Sequence, residues 1–319
     1  MYLFSIVVPC YNVSERVTAL FDMLTSKDYS KYEVIFVDDC SKDGSYQKML
    51  EESASHPNFK VVQPDKNGGP GPARNLGVLN ATGEYIMFCD SDDAMDISCL
   101  EKIEEFLQKN PDADIVASPH ILDRGQKQTF SDFNSKYKNG EKMRAEDIVV
   151  GNLAPWAKVY KRSIIVENNI EFPARMTGED ACFVINYAVF VKNAYKLELV
   201  YYTYIMNDNS IMHKHREDWQ QPTTFDLLLP LYKEYFPSVE VQRFIESHLL
   251  TKAKIMTDAH CKNSDIKKWF KEQNKRYPDW YAQTVNLDRS LYRRMIYFAM
   301  HKSSPILIKL VMLIRRALY

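Results

Sequence analysis

Three carboxylates stand within four residues of one another where an apolar run ends. The run Tyr-Ile-Met-Phe covers residues 85–88, and Asp90, Asp92 and Asp93 follow almost directly. Carboxylates this close repel one another unless a cation or the donors of a ligand offset the repulsion. Because Asp90 and Asp92 are two residues apart, an extended backbone would point both side chains to one side. This favours a hard divalent cation that also holds a diphosphate; the alternative is an acidic turn with a helix-capping Asp.

A second acidic pair, Glu179 and Asp180, follows Gly178 and precedes the largely apolar stretch 181–188. Carboxylates in the first turn of a helix interact favourably with the helix dipole, so one interpretation is a capped helix start. In the other interpretation, one of the two carboxylates is a catalytic base that lies over a ligand site.

The elements that must position these groups are predicted from hydrophobic patterning. Apolar runs predict strands at residues 3–9, 32–38, 59–63, 85–89, 114–118 and 197–204, and segments of helical spacing alternate with the first four. Alternation of strands and helices predicts a mainly parallel sheet covered by helices on both faces. Residues 123–145 are polar and rich in turn formers, so we expect a surface excursion there.

Polar side chains follow three of the predicted strands at the point where each strand ends. These polar clusters are residues 9–12 at the end of the first strand, residues 38–41 after the second, and residues 90–93 after the fourth. Ligands of such sheets bind at the carboxyl ends of the strands. The three turns therefore predict one common site.

The loop Lys-Asn-Gly-Gly-Pro-Gly-Pro at residues 66–72 has neither the P-loop spacing nor the dinucleotide-binding fingerprint. It is either a tight connector rich in turn formers or a flexible loop that lines a nucleotide site. In the second case Arg74 would supply a planar fork for phosphate.

Composition limits the class of protein. The 319 residues carry a net charge of -1, which gives no case for nucleic-acid binding. Six scattered cysteines without a paired motif predict reduced thiols in a cytosolic compartment. We expect no secretory signal peptide, because Met1 leads directly into a strand, and no apolar run approaches the roughly 20 residues that span a bilayer.

Five short motifs, taken together, resemble family 2 glycosyltransferases in order and spacing. They are SIVVPCYN at 5–12, VDDCS at 37–41, ARNLG at 73–77, DSDD at 90–93 and GED at 178–180. The resemblance covers roughly residues 1–215. It implies the GT-A fold (Rossmann-like, with a mainly parallel sheet flanked by helices) and inverting transfer of a sugar from a nucleotide donor, usually a UDP-sugar.

The resemblance also implies a role for each candidate residue. Pro9, Tyr11 and Asn12 would line the nucleoside pocket, Asp39 would accept from the uracil imide, and Arg74 would lie near the base or diphosphate. Asp90 would face the ribose, Ser91 would contact the donor, and Asp92 would coordinate Mn²⁺ or Mg²⁺. Asp180 would be the general base, and Glu179 would orient it or the acceptor. Cys40 departs from the glycine that is common at its position.

Beyond residue 215 the sequence becomes helical and aromatic, which predicts a helical region at 216–319 beside a catalytic domain at 1–215. Residues 287–319 carry a net charge of +6, and Lys302, Lys309 and Arg316 recur every seven residues around short apolar runs. A basic amphipathic end of this kind favours contact with an anionic inner leaflet. An oligomerisation or core-packing helix is the competing interpretation, and a homo-oligomer is compatible with it.

We therefore predict a metal-dependent glycosyltransferase of bacterial surface-glycan synthesis that uses a glycan or polyprenyl-linked acceptor. It would be cytoplasmic and peripheral on the inner face of the membrane. Two alternatives are a sugar nucleotidyltransferase, which would need a glycine-rich turn after the first strand, and a non-catalytic nucleotide-sugar-binding or assembly subunit. We expect His213 and His215 to be solvated loop residues, the alternative being contact with the diphosphate or metal.

Overall fold

The computed structural model describes residues 2–25, 29–150, 152–174, 178–206, 224–236, 261–285 and 291–318, with a few residues between 245 and 257. The chain divides into two compact units, Met1–Asn207 and Asp208–Tyr319. The predicted domain boundary at residue 215, and with it His213 and His215, lies outside the described residues.

The first unit alternates strands and helices, as the hydrophobic pattern predicts. In chain order its elements are β1 Phe4–Cys10, α1 Val17–Met23, β2 Tyr32–Asp38, α2 Ser45–Ser53, β3 Phe59–Val62, α3 Pro70–Asn80, β4 Tyr85–Phe88, β5 Ala94–Met95, a 3₁₀ turn Ile97–Cys99, α4 Leu100–Lys109, β6 Ile115–Ala117, β7 His120–Asp123, β8 Gln128–Ser131, β9 Lys142–Met143, α5 Ala145–Val150, β10 Lys158–Lys161, α6 Arg162–Glu167, α7 Glu179–Val189, β11 Ala194–Lys196 and β12 Tyr202–Ile205.

The central sheet has the strand order β3-β2-β1-β4-β10-β6-β11-β9. Strands β3, β2, β1 and β4 are parallel, whereas β10 runs antiparallel between β4 and β6. Every residue of β1, β2 and β4 is buried, as expected for strands that helices cover on both faces. The register pairs Cys10 with Asp38, so the polar turns after β1 and β2 begin at the same level.

Helix α3 lies unusually close to β1 because Gly77 faces the strand without a side chain. A Cβ atom at this position would lie 2.3 Å from Cγ1 of Val7. The helix begins at Pro70, a residue that suits the first helical position because its missing N–H would be unsatisfied there anyway. The close packing fixes the axis of α3, and with it the position of Arg74 one turn from the start.

A second sheet has the strand order β5-β12-β7-β8. The polar stretch at 123–145 is mostly exposed, as predicted, but it contains β8 of this second sheet and β9 of the central sheet. Strand β8 is mostly exposed and pairs antiparallel with β7 around the turn at Gly125, whose φ is +78°. Pairing in this hairpin, rather than burial of one face, stabilises β8. Its sequence therefore shows little hydrophobic alternation. Of the predicted strand at 197–204, only residues 202–204 lie in a strand, β12, while β11 ends just before it at Lys196.

The second unit is helical in its described part, as predicted. Its helices are α8 Thr224–Tyr235, α9 Asn263–Arg276, α10 Trp280–Val285, α11 Leu291–His301 and α12 Pro305–Leu318. They share a core that includes Phe270, Trp280, Tyr297 and Ile308. Nδ2 of Asn274 donates to the carbonyl oxygens of Met300 and His301, which ties α9 to the end of α11.

The last two helices leave large apolar side chains in water. On α12, Ile306, Leu310 and Leu313 are 69, 53 and 65 % exposed, whereas Ile308, Val311 and Met312 belong to the core. The helix thus packs in the core on one side and exposes a second apolar side. Among the described helices, none has the length and apolar character that crossing a membrane requires.

Candidate active site

Arg74 joins two carboxylates that are far apart in the sequence. Its Nη2 donates to Oδ1 of Asp90 at 2.6 Å, and its Nη1 donates to Oδ1 of Asp180 at 2.7 Å. The Arg74 side chain is 4 % exposed, and its guanidinium also lies 5.2 Å from the ring centroid of Phe172. Burial alone would lower the pKa of Arg74, but Asp180 and Asp90 raise it well above the ordinary value. The guanidinium is therefore a permanent cation between two acids.

Asp180 occupies the first turn of α7, two residues after Gly178, whose φ of 88° turns the chain into the helix. With 32 % of its side chain exposed, the carboxylate remains accessible. Burial raises the pKa of Asp180 above its ordinary value; Arg74 opposes the rise, while Asp90 and Glu179 add to it. A raised carboxyl pKa is what a general base near neutral pH requires.

Glu179 precedes Asp180 in the same turn and lies against the start of α3. A Cβ atom on Gly71 would lie 3.5 Å from Cγ of Glu179 and 2.8 Å from the carbonyl oxygen of Pro173. Glycine at position 71 therefore allows the first turns of α3 and α7 to approach, which brings Arg74 within reach of Asp180.

The carboxylates of the turn after β4 have separate surroundings. Asp93 is 2 % exposed and accepts from the Tyr202 hydroxyl at 2.5 Å and from N of Ile205 at 2.8 Å. Burial raises the pKa of Asp93 to about 7. Asp93 thus ties the turn to β12, and the side chain that caps the following 3₁₀ turn is Asp96, which accepts from N of Ser98 at 3.0 Å. The capping residue thus lies outside the acidic turn at 90–93.

Asp90 and Asp92 differ in exposure. The Asp90 side chain is 23 % exposed and is held by Arg74, whereas Asp92 is exposed and Ser91 is half-buried between them. Within the residues that the structure describes, no group of three or more His, Cys, Asp or Glu could hold a metal ion. A cation here would have to take part of its coordination from a bound ligand.

Asp39 holds the loop between β3 and α3. Its two carboxylate oxygens accept from N of Gly68 at 2.8 Å and from N of Gly69 at 2.7 Å, and its carbonyl oxygen accepts from Nδ2 of Asn67 at 2.7 Å. The residue is 3 % exposed. The sequence predicted a contact of Asp39 with a uracil ring but not these bonds. Each oxygen has a second lone pair, so both interactions are compatible.

The turns after β1 and β2 interlock, as their shared sheet edge predicts. N of Asn12 donates to Oγ of Ser41 at 2.8 Å, and Oδ1 of Asn12 accepts from N of Lys42 at 3.0 Å. Pro9 is buried within β1, while the Tyr11 side chain is 49 % exposed beside it. These three candidate nucleoside contacts therefore lie at the same edge of the sheet as the acidic turn that follows β4.

Lys158 of β10 is a charged residue of this site that the sequence analysis did not single out. It is 3 % exposed, and its Nζ donates to the carbonyl oxygen of Ala154 at 2.7 Å. Burial lowers the pKa of Lys158 to about 7, and Asp180 opposes this change. A feature of the sequence could have identified it, because Lys158 is the single charged residue in the apolar stretch Trp-Ala-Lys-Val-Tyr where the strand starts.

Solved structures of similar shape support the GT-A prediction. The crystal structure of Staphylococcus aureus TarS 1–349 in complex with UDP-GlcNAc is 22 % identical, with a TM-score of 0.76, and covers 99 % of this chain and 92 % of that one. A mannosyltransferase from Pyrobaculum calidifontis in complex with GDP-Man and Mn²⁺ is 15 % identical, with a TM-score of 0.58, over 97 % and 86 % of the two chains. At these identities the likeness shows the fold alone, and the predicted GT-A fold is confirmed.

Curated proteins show similarity in sequence as well. The poly(ribitol-phosphate) β-N-acetylglucosaminyltransferase TarS of S. aureus is 32 % identical over 190 residues, which are 58 % of this chain and 32 % of TarS. The poly(ribitol-phosphate) β-glucosyltransferase of Bacillus spizizenii is 32 % identical over 214 residues, 65 % of this chain and 33 % of that protein. The chain thus spans about a third of the length of these relatives. Residues 5–167, about half of the chain, match the profile of glycosyl transferase family 2, and the chain belongs to that family.

Proposed function

We propose that this protein is an inverting glycosyltransferase that moves a sugar from a UDP-sugar to a hydroxyl group of a glycan or lipid-linked acceptor in bacterial surface-polysaccharide synthesis. The observation that carries this proposal is the double ion pair of Arg74, which joins Asp90 of the strand-end turn to Asp180 of α7. It brings the two acidic motifs of the sequence to one edge of the sheet. The activities of the two curated relatives favour a UDP-hexose or UDP-N-acetylhexosamine as donor and a polyol-phosphate polymer as one acceptor class.

In this reaction Asp180 is the base. Its carboxylate takes the proton of the acceptor hydroxyl as the oxygen forms a bond to the anomeric carbon of the sugar. The bond between that carbon and the diphosphate oxygen breaks, and UDP leaves with the electron pair. Attack from the face opposite the leaving group inverts the configuration. Alignment of hydroxyl, anomeric carbon and leaving group would supply much of the rate enhancement.

The donor would lie along the edge where β1, β2 and β4 end. Pro9, Tyr11 and Asn12 would line the nucleoside pocket, Asp39 would accept from the uracil imide, and Asp90 would face the ribose. Ser91 lies in the same turn and would contact the donor, while Glu179 would orient Asp180 or the acceptor.

The residues present fit a divalent cation that is shared with the donor. Mg²⁺ is usually bound by one or two carboxylates together with substrate phosphates, and this mode requires no cluster made by the protein alone. The exposed Asp92 would hold Mn²⁺ or Mg²⁺ in this way. When bound, the cation would stabilise negative charge on the departing diphosphate.

UDP release from a panel of UDP-sugars tests the proposal, with poly(ribitol phosphate) and other polyol-phosphate or lipid-linked acceptors, in Mn²⁺ and in EDTA. We expect acceptor-dependent release that Asp180→Asn abolishes. Glu101→Gln, which changes an exposed acid on α4, is the matched control and should retain it. Binding of a UDP-sugar without turnover on any acceptor of the panel would instead favour the non-catalytic subunit.

We further propose that the domain at 1–215 carries catalysis and that residues 287–319 contact an anionic inner leaflet, which would make the protein peripheral on the cytoplasmic membrane face. The exposed apolar side chains of α12 support this contact. Lys309 does not extend freely from the helix, because its Nζ donates to the carbonyl oxygen of Cys261 at 3.0 Å.

A further inference from the structure

Lys158 is a buried lysine in the middle of the central sheet. It begins β10, which lies between β4 and β6, and its ammonium donates to the carbonyl oxygen of Ala154 at 2.7 Å. An ammonium carries three donors, so one carbonyl satisfies a third of its capacity. Moving such a group out of water costs several kcal/mol unless other charges compensate. Burial lowers the pKa of Lys158 to about 7, so the ammonium form is present below neutral pH and is stabilised there by a nearby anion.

The face of β10 that carries Lys158 lies beneath α7. Tyr160 is two residues further along the strand and so shares this face. Its ring centroid lies 5.5 Å from that of Phe183 and 5.0 Å from that of Tyr187, both on α7. Oη of Tyr187 also donates to the carbonyl oxygen of Lys161 at 3.2 Å, so β10 passes from the last turns of α7 at Lys161 towards the first turn at Lys158. That first turn carries Asp180, and Asp180 and Lys158 each favour the charged form of the other.

The groups that act on Asp180 come from four elements. Arg74 of α3 and Lys158 of β10 favour the carboxylate, while Asp90 of the turn after β4 and Glu179 of α7 itself disfavour it. Tyr160 of β10 also interacts with Asp180 and is buried and neutral. Arg74 divides its two terminal nitrogens between Asp90 and Asp180. Lys158 is thus the second cation that offsets the two neighbouring acids.

We propose that Lys158 is a positioning residue of the transfer reaction, whose buried ammonium holds Asp180 as a carboxylate beneath the incoming acceptor hydroxyl. This inference rests on the proposed role of Asp180 as base.

The test compares three forms of the full chain: wild type, Lys158→Gln and Lys158→Arg. Glutamine can still donate to the Ala154 carbonyl but carries no charge, whereas arginine keeps the charge. The pH dependence of kcat/KM is measured with a UDP-sugar and an active acceptor. Without the cation, the acid limb of Lys158→Gln should move to higher pH by on the order of one unit. Its activity should then be about tenfold below wild type at pH 6 and near wild type at pH 9, while Lys158→Arg keeps the wild-type limb.

A second measurement tests the proposed role of Lys158 without catalytic turnover. Carbon-13 NMR of the carboxyl groups, with Asp180→Asn for assignment, gives the titration of Asp180 in the donor-free protein. We expect the pKa of Asp180 to be higher in Lys158→Gln by the same amount as the acid limb. If the glutamine variant does not fold, Lys158→Met is measured in its place.

An acid limb and an Asp180 titration that coincide with wild type would overturn the proposal. An equal loss of activity in the Gln and Arg variants at every pH would also overturn it, because it would show a purely structural role. An inactive wild type would refute the proposed function and leave the NMR titration to decide on Lys158.

Discussion

Replacing Arg74 with methionine removes the cation between Asp90 and Asp180 and keeps a side chain of similar length. Hydrogen bonds to charged groups contribute about 1.5–3 kcal/mol each, and removing one partner of a buried ion pair costs about 3–5 kcal/mol. Asp90 and Asp180 retain 23 and 32 % exposure of their side chains, so water replaces part of the lost interaction. We therefore expect Arg74→Met to lower the free energy of unfolding by about 2–4 kcal/mol.

The loss of unfolding free energy in Arg74→Met should be larger at high pH than at low pH. A carboxyl whose pKa is higher in the folded state favours folding most at low pH, and this contribution is lost as the pH rises through the folded-state pKa. The pKa of Asp180 is raised by burial and held down by Arg74 and Lys158, so losing Arg74 raises it further. Arg74→Met should therefore be destabilised more at pH 8 than at pH 5.

Urea denaturation of the full chain at both pH values measures this effect. A thermal melt should fall by roughly 2–4 °C for each kcal/mol, as for a domain of this size. Arg16→Met, at an exposed position before α1, is the matched control and should change little. The double variant Arg74→Met with Asp180→Asn should recover part of the loss at pH 8. Equal effects of the two methionine variants, or an effect independent of pH, would refute the reasoning.

Three further changes test other parts of the structure. Asp92→Ala removes the exposed carboxylate assigned to the cation, so Mn²⁺ should no longer increase the affinity for UDP in calorimetry; an undiminished effect of Mn²⁺ would contradict the assignment. Gly77→Ala would bring a methyl group 2.3 Å from Cγ1 of Val7, and such overpacking should cost about 1–3 kcal/mol in urea denaturation; unchanged stability would show that β1 and α3 can separate freely. Serine at both Leu310 and Leu313 should weaken co-sedimentation with anionic vesicles and spare the melting temperature, since both side chains are exposed; full vesicle binding by this variant would count against the membrane proposal.

The parallel half of the sheet was predictable because its strands are buried on both faces. Such strands appear as continuous apolar runs, and β2 begins and ends at the predicted residues, Tyr32 and Asp38. The polar turns after β1, β2 and β4 follow from the topology of parallel strands. By contrast, β8 is held by its partner strand and is mostly exposed, so no hydrophobic pattern marks it.

The candidate site was predictable as a set of residues but not as a network. Arg74 and Asp180 are 106 residues apart, and no local pattern shows that one guanidinium holds both acidic motifs. The spacing separated Asp93 from Asp90 and Asp92, but its bonds to Tyr202 and Ile205, more than 100 residues away, could not be predicted. Which carboxylate contacts a ligand depends on such long-range bonds.

The most direct test of the central claim is to measure donor binding and sugar transfer on the same preparation of Asp180→Asn. Asparagine keeps an oxygen that can accept from Arg74 but cannot take the acceptor proton. We predict that the dissociation constant for the UDP-sugar stays within about threefold of wild type. The value of kcat should fall by roughly 10²–10⁴-fold, the range for loss of a general base. Transfer at the wild-type rate with unchanged donor binding would contradict the assignment of Asp180 as the base.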